Sequence, residues 1–104
     1  MKAETLKGHL DALVLAALRG RPAHGYAVIE ELKRRSEGAF DLAEGTVYPV
    51  LHRLEADGLL ESSWSTVGGR RRRVCRLTRR GAKALAKREE EWRSFSAAVD
   101  AVLA

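Results

Sequence analysis

The chain of 104 residues is poor in groups that staple, anchor or catalyse: it has one cysteine, two prolines and three histidines. The lone Cys75 excludes an intramolecular disulfide framework. No apolar run approaches the roughly 20 residues needed to span a bilayer. The opening residues Met1 to Gly8 lack the apolar centre of a secretion signal. A cytoplasmic protein without membrane contact is therefore expected. The histidines, His9, His24 and His52, fall on separate segments and have no metal-ligand spacing. No Ser/His/Asp or Cys/His set is suggested, and Gly68-Gly69 lacks the context of a phosphate loop. These absences argue against an enzyme, a metal site and a cofactor.

What the chain does have is unevenly placed charge. The formal net charge is +5. Residues 62–88 hold eight Arg, two Lys and no acidic group, ten positive charges, while the rest carries nine basic and fourteen acidic groups, or −5. A basic block on a mildly acidic body suits a polyanionic partner. The same block also reads as a solvated face that aids solubility. The length fits one domain with a modest core, so a long amphipathic helix left over needs a partner.

Periodicity gives the elements. Leu10, Leu13, Val14, Ala17 and Leu18 form a helical stripe over about residues 9–19, stopped by Gly20 and Pro22. His24-Gly25-Tyr26 opens a second helix that ends by Gly38, with Tyr26, Ile29 and Leu32 inward. A third runs from about Glu44 to Asp57, and Gly58 is its natural C-terminal stop. Its apolar residues Val47, Val50, Leu51 and Leu54 share one stripe. Thr46, Tyr48, Pro49, His52 and Arg53 then point away from the core. Pro49 implies either a late start or a bend, because an interior proline costs about 3 kcal/mol.

Leu59–Val67 and Arg71–Thr78 read as strands joined at Gly68-Gly69, a pair suited to the positive φ angles of a tight turn. Leu60, Ser62, Trp64 and Thr66 fall on one face of the first strand. Thr78 has the character of an N-cap for a last helix over about 79–103. On that helix Leu85, Trp92 and Val99 recur every seven residues, as do Arg88, Phe95 and Val102, a short heptad seam interrupted by Arg88. Either the helix packs on its own domain or it is buried against a second copy. The expected fold is mainly α with a small β-hairpin. It is a winged helix-turn-helix with a long C-terminal dimerisation helix, divided into residues 1–80 and 81–104.

A short helix with a buried underside and a polar outer face suits a DNA major groove, and a basic hairpin beside it suits the phosphate backbone. The motifs His24-Gly25-Tyr26, Gly45-Thr46-Val47-Tyr48-Pro49, Leu51-His52-Arg53-Leu54-Glu55, Gly58-Leu59-Leu60, Trp64, Gly69-Arg70-Arg71-Arg72 and Leu77-Thr78-Arg79-Arg80-Gly81, in this order, closely resemble the PadR family of bacterial transcriptional regulators. The resemblance covers about residues 8–104. It implies a homodimeric repressor of the short subclass, in which one terminal helix dimerises. One departure stands out: the strand before Leu77-Thr78 usually carries an aromatic pair, and here it has Val74-Cys75.

The expected partners are double-stranded DNA, a second copy of the chain and a small aromatic effector. Two reading helices about 34 Å apart predict a near-palindromic operator. Thr46 and Tyr48 are placed to donate to phosphates, and His52 and Arg53 to reach base edges. Pro49 shares their face. Tyr48 reads equally as a packing aromatic, and His52 as a surface residue without contact. Arg70, Arg71, Arg72 and Arg73 are phosphate or minor-groove candidates. Tyr26 either packs its helix or touches DNA. Candidate dimer contacts are Leu10, Leu13, Leu85, Trp92, Phe95, Val99 and Val102. Trp92 reads as a dimer-core residue or as one half of an indole sandwich for a planar ligand. Cys75 reads as a packed hydrophobe or, beside Arg76, as an activated thiol. The competing functional reading is a winged-helix adaptor for protein or RNA. RNA recognition favours stacking aromatics on an open sheet, and this hairpin offers only Trp64.

Overall fold

The computed structural model describes Leu6 and residues 8–104. The other residues of the N-terminal stretch read for a secretion signal lie outside the described residues. The elements are α1 (Leu10–Ala17), β1 (Ala23–His24), α2 (Gly25–Arg35), α3 (Glu44–Ala56), β2 (Leu60–Val67), β3 (Arg70–Leu77) and α4 (Arg79–Leu103). The strands form one antiparallel sheet in the order β1-β3-β2.

Apolar periodicity dictates which faces meet. Val14, Leu15 and Leu18, Val28, Ile29 and Leu32, and Val47, Val50, Leu51 and Leu54 converge from the first three helical segments. Leu60, Cys75 and Leu85 close this core from the sheet and α4. Leu10 and Leu13 pack on its edge, partly buried. Fully burying one such aliphatic side chain contributes about 1.5–3 kcal/mol. The orientation of α3 is therefore fixed by its underside.

The termini of α3 follow from local chemistry. Ala43 precedes it and supplies no side-chain oxygen to the first turn. At the other end Gly58 has φ +78°, its N–H bonds Glu55 O at 3.0 Å, and Leu59 N–H bonds Leu54 O at 2.9 Å. This paired closure is the Schellman arrangement that a glycine in the left-handed region permits. Pro49 sits inside the helix, so of the two alternatives, a late start or a bend, the late start does not occur. The carbonyl of Gly45 simply receives no proline N–H.

The hairpin turns through Gly68 and Gly69 at φ +59° and +77°. Register pairs Leu60 with Leu77, Ser62 with Cys75, and Trp64 with Arg73. One face of β2 thus runs from buried Leu60 at the core to exposed Trp64 on the projecting wing. Thr78 caps α4 as its sequence position implied: its Oγ1 accepts from Gly81 N–H at 3.0 Å and donates to Gly58 O at 2.8 Å.

Two expectations about side-chain direction require correction. Tyr26 does not face inward; it is 54 % exposed, and Val28 takes the inward place beside Ile29 and Leu32. Leu85 belongs to the protomer's own core at 2 % exposure, so its side chain is withdrawn from the heptad seam. Beyond Leu85 the helix leaves the core, and Trp92, Phe95, Val102 and Leu103 are exposed. It is tied to the segments flanking α1 by Arg88 donating to Gly8 O and by the Arg19–Glu89 ion pair.

Gly81 marks where α4 crosses the chain most closely. A Cβ there would lie 2.0 Å from the carbonyl oxygen of Leu59. Backbone yields poorly to such a contact, and overpacking of this kind costs about 1–3 kcal/mol. Alanine's helix-propensity gain of about 1 kcal/mol offsets only part of that. Gly81→Ala should lower the urea midpoint; an unchanged or raised midpoint would contradict this packing.

Candidate nucleic-acid interface

The outer face of α3 and the arginine-rich strand β3 enclose a groove of about 550 Å³. His24, Tyr26, Tyr48, His52, Glu55 and Arg70 to Arg73 are among the residues that line it. The structure therefore brings together most of the residues singled out as DNA contacts. Thr46, Pro49 and Arg53 lie on α3 with them but do not line the groove.

Position on the helix explains each role. Val47, Val50, Leu51 and Leu54 take the inner stripe, which leaves Pro49 and His52 exposed on the outside. Tyr48 and Glu55 flank the wing side. The ring of Tyr48 packs over Gly25, where a Cβ would come within 2.5 Å of Cε1. Gly25 is thus a seat for an aromatic ring, and Tyr48 combines packing with a 38 % exposed edge. Thr46 is half-buried on the opposite flank. Tyr26 stands exposed on α2, its phenol pushed up in pKa by hydrogen bonding to Glu30.

The arginines are not free equivalents. Arg53 donates through Nη1 and Nη2 to the two carboxylate oxygens of Asp11, both at 2.8 Å. This fork-to-carboxylate match ties α3 to α1 and occupies the guanidinium edge to which the sequence assigned a base contact. The hydrogen bonds from Arg53, more than its charge, hold the Asp11 carboxyl below its ordinary pKa against the opposing effect of burial. Arg73 donates to Glu55 at 3.1 Å, and Ser62 donates to the same Glu55 oxygen. One carboxylate thereby fastens both strands of the wing to α3. The Ser62 hydrogen bond is the largest cause of the lowered Glu55 pKa, followed among the lowering effects by Arg73.

Arg72 Nη1 lies 3.0 Å from His24 Nε2. An arginine can only donate, so His24 accepts there as a neutral ring. Burial, then the charge of Arg72, lowers the His24 pKa and favours that form. Arg76 pairs with Glu61 at 2.9 Å. It does not activate Cys75, whose buried thiol is pushed up in pKa by desolvation first and by Glu55 second. A raised pKa and burial make Cys75 a packed hydrophobe.

Sequence reasoning missed these anchors: Asp11, Glu55, His24 and the short strand β1. Glu55 did leave a trace, as a carboxylate one turn beyond His52 on a helix facing an arginine block. Nothing in periodicity pairs Asp11 with Arg53, which are 42 residues apart.

A second concavity of about 490 Å³ lies between α1 and α4. It is lined mainly by apolar groups, including Leu6, Leu13, Ala16, Phe40, Trp92 and Phe95. His9 meets Trp92 edge-on at 5.5 Å between ring centroids, and Phe95 lies 6.0 Å from Trp92. Among the described residues no group of three His, Cys, Asp or Glu side chains could hold a metal, and no helix is long and apolar enough to cross a membrane.

Three helical segments, a three-stranded sheet with a projecting basic hairpin and a long terminal helix define a winged-helix protein. The profile of the PadR-like transcriptional regulator family matches residues 14–87, and the chain belongs to that family. Family membership makes it a regulator and not an enzyme. It is 35 % identical to a PadR family transcriptional regulator from Eggerthella lenta DSM 2243, with a TM-score of 0.83 over 96 % of this chain and 86 % of that one. A PadR family transcription regulator from Clostridium difficile R20291 is 30 % identical, with a TM-score of 0.82 over 93 % of this chain and 100 % of that one. The transcriptional regulator Rv3488 of Mycobacterium tuberculosis is 50 % identical over 62 residues, 60 % of this chain and 55 % of that protein.

The Asp11–Arg53 pair generates a pH prediction. A depressed folded pKa stabilises above the ordinary carboxylate value, and that contribution is lost as pH falls through the folded value. Asp11→Asn should lower stability at neutral pH, and its difference from wild type should shrink below about pH 4 in urea titrations. A gap independent of pH would contradict the pairing.

Proposed function

We propose that the chain is a sequence-specific regulator that binds duplex DNA as a homodimer and represses transcription from a near-palindromic operator. The observation that carries this reading is the groove between α3 and the wing, with four consecutive arginines on one wall and Tyr48 and His52 on the other. Its width is bounded by two elements of one rigid core, which lets α3 enter a major groove while the wing follows the backbone. The hydroxyls of Thr46 and Tyr48, near the start of α3, suit phosphate contacts. His52 and Pro49 present the face toward base edges, and Tyr26 borders it from α2. Arg53 reaches a base only by leaving Asp11, so the reading assigns base contact first to His52.

The same proposal places the second copy on the apolar concavity of α1 and α4. Trp92 and Phe95 are 53 % and 59 % exposed on a helix that has left its own core. Val99 and Val102 continue their stripe, and Leu10 and Leu13 border it on α1. An exposed apolar strip of this kind marks an interaction surface. Trp92, already in contact with His9 and Phe95, is the residue against which a small aromatic effector would stack.

Two experiments test this. Changing Arg71 and Arg72 together to Ala should weaken binding to every duplex sequence. It should also make the salt dependence shallower by roughly one unit for each phosphate contact removed. An unchanged slope would overturn the wing assignment. In sedimentation, the wild type should run as a dimer and Phe95→Glu as a folded monomer. A monomeric wild type at micromolar concentration would overturn the interface.

A further inference from the structure

The four wing arginines differ in what their guanidinium groups already hold. Arg72 is engaged with His24 and Arg73 with Glu55. Arg70, at the turn, has no side-chain partner among the described residues. Arg71 is held differently: its Cζ lies 4.8 Å from the centroid of the Trp64 ring. Arg73 reaches the same ring more loosely, at 5.9 Å. The register explains the meeting, since Trp64 stands opposite Arg73 and Arg71 projects from the same face two residues away.

An ion pair and an aromatic platform order an arginine in different ways. A carboxylate orders the guanidinium by occupying its N–H groups. An indole attracts it through the ring face, while the N–H donors at the guanidinium edge stay free. Arg71 is therefore the wing arginine that is both held in place and unspent. Trp64 itself is 58 % exposed and adds little to the core, whose end of the strand is closed by Leu60 and Cys75. A large aromatic left in solvent on a projecting hairpin calls for another role.

We propose that Trp64 is a positioning residue of the DNA interface, its indole holding Arg71 ready to donate to a backbone phosphate. This rests on the DNA-binding reading above. The arrangement extends inward through contacts already described: Trp64 also faces Arg73, Arg73 is bound to Glu55, and Glu55 lies on α3. The platform consequently sets Arg71 relative to the reading helix as well as relative to the hairpin. Phosphate binding then immobilises a side chain whose freedom is already reduced, which favours affinity without adding a charge.

The test is binding of a random-sequence DNA duplex, followed by fluorescence anisotropy across a salt series. Wild type, Trp64→Leu, Trp64→Phe, Arg71→Ala and the Trp64→Leu/Arg71→Ala double variant are compared. Trp64→Leu should weaken binding about two- to fivefold. Its salt slope should match wild type, because no charge is lost. Trp64→Phe should retain most of the affinity, since an aromatic face remains. In the Arg71→Ala background Trp64→Leu should have no further effect. Wild-type affinity in Trp64→Leu would overturn the proposal. So would an equal loss with and without Arg71, which would assign Trp64 to the folding of the wing; this comparison decides even if the leucine variant melts earlier. Failure of the wild type to bind duplex at any salt would overturn the DNA-binding reading itself, a distinct result.

Discussion

Burial of the four-residue underside of α3 is the constraint on which the other features rest. Val47, Val50, Leu51 and Leu54 are each at most 7 % exposed, and they share one core with residues of α1, α2, the sheet and α4. With those residues committed, the helix can present only one outer face. The flanks are then fastened from both sides by charge-assisted bonds, Asp11 to Arg53 on the α1 side and Glu55 to Arg73 on the wing side. Both pairs are partly exposed, so their direct contribution to stability is small. Their effect is geometric: Asp11 fixes the register of α3 against α1, and Glu55 holds the wing, which has few apolar contacts of its own, in one relation to the helix.

Two acidic groups outside the basic block, Asp11 and Glu55, acquire a meaning from this arrangement. Glu55 and Asp11 reduce the local positive charge, yet each fixes an arginine at a defined place. A run of four arginines thereby becomes four distinct environments: one at the turn, one on an indole, one on a histidine and one on a carboxylate. Among these partners only Glu55 carries a charge that offsets an arginine's own. The wing can project from the core without a hydrophobic interior of its own.

Much of this was legible in the residues. The helical stripes gave three helical segments, Gly58 and Thr78 marked real termini, and the paired glycines gave the hairpin with strand ends within one residue. The family resemblance rested on ordered motifs and agrees with the match to PadR-like regulators. Directions were harder. Tyr26 begins an apolar stripe, which predicts an inward ring, but Val28 and Ile29 fill that space. Heptad spacing puts Leu85 on a seam because it does not distinguish a helix's own core from a partner's surface. The anchors Asp11 and Glu55 escaped because long-range pairing of charges has no period.

Those misses fall where local pattern and tertiary contact part company. The glycine of His24-Gly25-Tyr26 shows it most clearly. Its significance lies in the ring of Tyr48, 23 positions away in sequence, and only the fold reveals the two as one unit. The central claim, that the α3–wing groove receives duplex DNA, is tested most directly by titrating isotope-labelled protein with a duplex and following the NMR signals residue by residue. The account predicts that resonances of Tyr48, His52, Arg70 to Arg73 and the Trp64 indole move together while the Trp92 indole stays in place. Perturbations confined to the exposed end of α4, with the groove unchanged, would contradict it.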